Sequence, residues 1–79
     1  MRANELYLIL KNFEVKCYSC VNYFTHNNID EKIDYISREY RAHRKAITIF
    51  YDSNIISYEM NQYLKNKIIF IRNKYIDII

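Results

Sequence analysis

Cys17-Tyr18-Ser19-Cys20 sets two thiols three residues apart, a spacing found in zinc sites and in thiol–disulfide exchange. The chain has two histidines, His26 and His43, so a two-cysteine, two-histidine zinc site can be drawn on paper. No second Cys-x-x-Cys and no closely spaced histidine pair accompanies the motif, as zinc-binding patterns usually require. A redox motif belongs at the start of a helix that follows a strand, where the helix dipole favours the thiolate. Here both cysteines lie inside a helical repeat and on one face of it. A disulfide between them would be strained. The expectation is therefore packing, with both thiols acting as small buried hydrophobes and no metal or cofactor assigned.

The second place for chemistry is Arg38-Glu39-Tyr40-Arg41-Ala42-His43. An arginine can hold a phosphate and a histidine can move a proton near neutral pH. This Arg-x4-His run is similar to the motif of HEPN-type helical ribonucleases, and the resemblance implies an RNA-cleaving pair in Arg38 and His43. It spans six residues, and the five-residue offset turns Arg38 away from the His43 face. The other expectation for His43 is a hydrogen-bonded residue in or beside a core. Ser57-Tyr58-Glu59-Met60-Asn61 resembles the Ser-Gln-Glu-Leu-Asp signature of small helical-hairpin phosphatases that act on response regulators. Tyr58 and Asn61 stand where that family has glutamine and aspartate. No catalytic residue is assigned from either resemblance.

The third constellation is basic. Arg38, Arg41 and Lys45, with Arg44 beside them, stand along one predicted helix, and Tyr35 and Tyr51 flank them. Arginine and tyrosine together can grip phosphates and stack bases. Asp34 and Glu39 can neutralise part of this stripe, and a formal net charge of +3 is mild for a protein that binds nucleic acid by charge.

Three ladders of apolar side chains position these groups. The first is Leu6, Leu10, Phe13, Cys17, Cys20 and Phe24. The second is Ile29, Ile33, Ile36, Tyr40, His43, Ile47 and Phe50. The third is Met60, Leu64, Ile68, Ile71, Tyr75 and Ile78. Spacings of three and four put each set on one face of an α-helix. The expected helices are 4–25, 29–51 and 54–77, broken by Thr25-His26-Asn27-Asn28 and Asp52-Ser53-Asn54. Asn28 with Glu31 has capping-box spacing, and Asp52 or Ser53 is the expected cap of the third helix. Loops this short make neighbours antiparallel, so the fold class is all-α, a three-helix up-down-up bundle able to dimerise. A small α+β fold is the alternative. Phe13–Tyr18 alternates like a strand, and Ala46–Tyr51 and Lys67–Ile71 are rich in strand-forming residues. Three unbroken ladders and the absence of glycine and proline favour helices.

With 79 residues, the chain makes a single domain, 1–79, whose one core supplies only a few kcal/mol. No apolar run approaches a membrane span. The first five residues lack the features of a signal peptide, so a cytoplasmic location is expected. The codons of the abundant Ile, Asn, Tyr and Lys are A/T-rich, which fits a bacterium, phage or virus of that composition. Apolar residues are in surplus. Leu8, Val15 and Tyr18 lie off the first ladder, and Ile69, Phe70 and Ile76 lie off the third. One core cannot bury both sides of two helices, and apolar area left outside commonly marks an interaction surface. Nine tyrosines add favoured interface anchors. The function expected from this is protein–protein binding without catalysis, by a regulator or inhibitor that pairs with a protein partner or with itself. Nucleic acid held by Arg38, Arg41, Arg44 and Lys45 is the alternative partner, and no small-molecule substrate is evident.

Overall fold

The three ladders fold as three α-helices in a computed structural model of the chain, which describes residues 3–23 and 28–79. They are α1 (Ala3–Asn22), α2 (Ile29–Asp52) and α3 (Tyr58–Ile78), and no strand occurs among the described residues. The stretches that alternate like strands all lie within helices. Phe24 of the first ladder, His26 and the rest of the first break up to Asn27 lie outside the described residues.

Pairs across the helices define the register. Lys16 meets Glu39, Asn12 meets His43 and Cys20 meets the Lys32 carbonyl, so α1 and α2 run antiparallel. Arg72 lies over Tyr40 and Tyr51 packs on Tyr58, so α2 and α3 are antiparallel as well. Glu14 reaches both Lys74 and Tyr75, consistent with a parallel α1 and α3. The result is the up-down-up bundle. Phe13, Cys17, Cys20, Ile36, Ile47, Leu64 and Ile68 are fully buried at its axis. The Phe13 ring packs 5.2 Å from His43 and 6.3 Å from Tyr40, centroid to centroid. The ladder ends are looser, with Ile29 and Ile78 exposed.

The caps explain where the helices begin and end. Asn28 Oδ1 accepts from the Glu31 amide at 2.7 Å, as the capping spacing predicts. The second boundary differs from the expected one, because α3 starts at Tyr58 rather than at 54. Asn54 adopts φ 61° and closes α2. The Ile55 amide donates to the Phe50 carbonyl and the Asn54 amide to the Tyr51 carbonyl, the bond pair of a Schellman motif. Asp52 and Ser53 are thereby consumed in ending α2. Ile56 then turns into the core, and Ser57 caps α3 by accepting from the Met60 amide at 3.1 Å.

Candidate functional site

Each helix has one buried stripe, and the candidate binding groups lie on what remains outside. On α1 the stripe of Leu8, Lys11, Val15 and Tyr18 runs beside the core ladder at spacings of three and four. Leu8 is 59% exposed and Val15 51%. On α3 the matching stripe is Tyr63, Lys67 and Phe70, with Phe70 68% exposed. The two stripes enclose an open groove of about 660 Å³ between α1 and α3, floored by Leu10 and Ile71. Lys67 Nζ sits 5.6 Å from the Tyr63 ring, and Tyr18 meets Tyr23 edge to face at 5.7 Å. The groove wall ends at Glu14, whose Oε1 accepts from the Tyr75 hydroxyl at 3.5 Å and faces Lys74 Nζ at 3.9 Å. Burial, followed by this carboxylate, pushes the Tyr75 phenol above its usual pKa.

Four of the six expected interface residues, Leu8, Val15, Tyr18 and Phe70, meet on this face. Ile69 and Ile76 do not join them. Both are half-buried against the core, on the flank of α3 that carries Arg72 and faces α2. Sequence reasoning missed Tyr7, Tyr63 and Lys67. Tyr63 and Phe70 are seven apart, as Leu8 and Val15 are, and that repeat was the available signal.

The histidine site is built as a structural one. His43 is 8% exposed. Its Nδ1 lies 2.7 Å from the Glu39 carbonyl and its Nε2 3.4 Å from the Asn12 amide nitrogen. The tautomer with the proton on Nδ1 satisfies both: Nδ1–H donates to the carbonyl and Nε2 accepts from Asn12. The Glu39 carboxylate stands 3.7 Å from Nδ1 and also pairs with Lys16 at 3.2 Å. Arg38 points elsewhere, roughly 140° around α2 from His43, and its Nε pairs with Asp34 at 3.1 Å. The two halves of the Arg-x4-His run are not brought together. In the Ser57–Asn61 run, Ser57 is the helix cap, and Asn61 is buried with no hydrogen-bond partner for its Oδ1 among the described residues.

Cys17 and Cys20 are free thiols without solvent exposure. Burial, with smaller contributions from the Cys20, Glu39 and Glu14 charges, pushes the Cys17 thiol up to about 12. Burial also raises Cys20, against a small opposing effect of Lys32. A nucleophilic or metal-binding cysteine needs the opposite shift. Among the described residues no three histidine, cysteine or acidic side chains cluster as metal ligands do.

The basic residues of α2 are exposed, as the sequence suggests. Arg38 is in its ion pair, while Arg41, Arg44 and Lys45 form none among the described residues. Among the described residues no helix is long and apolar enough to cross a membrane. No family model matches the chain, and no curated protein or solved structure resembles it significantly.

Proposed function

We propose that this is a small binding protein that works by docking its α1–α3 face against another protein, and that one such partner is a second copy of the chain. The apolar groove carries the reading. Tyr7, Leu8, Val15, Tyr18, Tyr63 and Phe70 together expose on the order of 700 Å². A standard interface takes about 800 Å² from each partner. The face also holds both signs of charge, with Lys11 and Lys67 near Glu14. A two-fold pairing can thus set cations of one copy against a carboxylate of the other. Aromatic rings in fixed positions supply anchors at low entropic cost. Binding of this kind regulates or inhibits by occupancy, without chemistry at the surface.

Light scattering after size exclusion, from micromolar to near-millimolar concentration, is the test. The expected result is a concentration-dependent dimer that Phe70→Glu and Val15→Glu each convert to monomer with unchanged helical circular dichroism. Both side chains are exposed, so these variants fold. A wild-type chain that stays monomeric at every concentration refutes the pairing.

A further inference from the structure

The flank of α3 turned away from the groove carries different chemistry. No acidic residue lies between Glu39 and Asp52, or between Glu59 and Asp77, and of the seven cations in these two spans Lys67 and Lys74 face α1 while the other five do not. The register brings the spans side by side. The pairs Tyr40 with Arg72 and Tyr51 with Tyr58 put Arg44 level with Lys65 across the crevice between α2 and α3. Arg44 follows Tyr40 by one turn, and Lys65 precedes Arg72 by two, so all four share the crevice. The Arg72 guanidinium is 4.4 Å from the Tyr40 ring, and its Nε donates to Asn73 Oδ1 at 3.2 Å. Stacking of that kind holds the charge in place and leaves other N–H groups to donate.

At one end of this track the Tyr51 and Tyr58 rings meet edge to face, 6.1 Å apart, and both are exposed. Tyr51 follows Arg44 by two turns on the same flank. Cations alone would suit any polyanion. Exposed rings at the end of the row add a surface for stacking bases, which an acidic polypeptide does not use. Stacking also requires unpaired bases, which excludes a closed duplex as the favoured ligand.

We propose that the α2–α3 crevice is a track for a single-stranded polynucleotide, with Arg44, Lys65 and Arg72 on the phosphates and Tyr51 and Tyr58 stacking on bases. This stands apart from the α1–α3 docking face and survives its failure. Binding is electrostatic in the main. Three phosphate contacts give a salt slope of about −2, so affinity falls about 20-fold between 50 and 200 mM salt.

Fluorescence anisotropy with a labelled 20-nucleotide oligo-dT tests it. The expected outcome is binding at 50 mM salt with that slope, a weaker response to a duplex of equal length, and little displacement by polyglutamate. The pair Arg44→Glu with Lys65→Glu, at an exposed and a half-buried position outside the core, loses at least tenfold in affinity and keeps its circular dichroism. Tyr58→Ser loses about tenfold, the stacking of one base. The milder pair Arg44→Gln with Lys65→Gln, which adds no new charge, still weakens binding. No binding at 50 mM salt overturns the proposal, as does equal binding by the charge-reversed pair. Preference for duplex overturns the single-strand assignment. Displacement by polyglutamate at matched charge overturns the polynucleotide itself in favour of an acidic protein.

Discussion

Cys17 offers the sharpest test of the bundle, because its environment sets its reactivity. It has no solvent exposure and its thiol is pushed up to about 12 from an ordinary value of 9.0. At pH 8 the unfolded chain presents about one thiol in ten as thiolate, whereas the folded chain presents ~10⁻⁴. Ionisation alone therefore slows alkylation of Cys17 about 1,000-fold, and the absence of a path to the sulfur slows it further. Reaction then proceeds through opened molecules, so its rate reports the stability of the core. The assay is iodoacetamide labelling at pH 8, with and without urea, read by mass spectrometry of the peptide containing Cys17. Slow labelling in buffer and rapid labelling in urea is the expected outcome. A second readout comes from pH. The folded pKa lies above the unfolded one, so the native state holds its proton more tightly. The stability this contributes is fully present below pH 9. It is lost as pH rises from about 9 toward 12, at up to about 1.4 kcal/mol per pH unit. Labelling at the same rate in buffer as in urea would refute the packed-thiol account and reopen metal or redox roles for the pair.

Other substitutions follow from the same packing. Phe13→Ala removes the fully buried ring between Tyr40 and His43 and is expected to cost about 3–5 kcal/mol, enough to unfold much of the population in a urea titration. Asn61→Leu replaces a buried amide whose Oδ1 has no partner among the described residues, and is expected to add about 1 kcal/mol of stability, read as a higher urea midpoint. Ser57→Ala deletes the cap of α3 and is expected to lower thermal stability by about 1 kcal/mol. Asn54→Ala, at φ 61°, should cost about as much through left-handed strain.

The ladder centres were legible because burial is periodic there. Phe13, Cys17, Ile36, Tyr40, Ile47, Leu64 and Ile68 all lie inside. The start of α3 was not legible, because Asp52, Ser53 and Ser57 are all competent caps. The choice among them depends on Asn54 closing α2 and on Ile56 finding the core, which are tertiary events. The same limit governs the surfaces. Seven-residue spacing found Leu8 with Val15, and Ile69 with Ile76, equally well. Only the third helix decides which pair is covered. α2 packs beside Ile69 and Ile76 and leaves the α1 pair open. That Arg44 and Lys65 stand level depends on register between helices, which no local pattern encodes.

α3 bears a different demand on each quadrant. Leu64, Ile68, Ile71 and Tyr75 fill the core, Tyr63 and Phe70 wall the groove, and Lys65 and Arg72 line the crevice. Between them runs a thin outer strip of polar side chains that includes Gln62, Asn66 and Asp77, all exposed. Substitution in this helix is therefore expected to concentrate on that strip. Among orthologues those three positions should vary more than the letters between them.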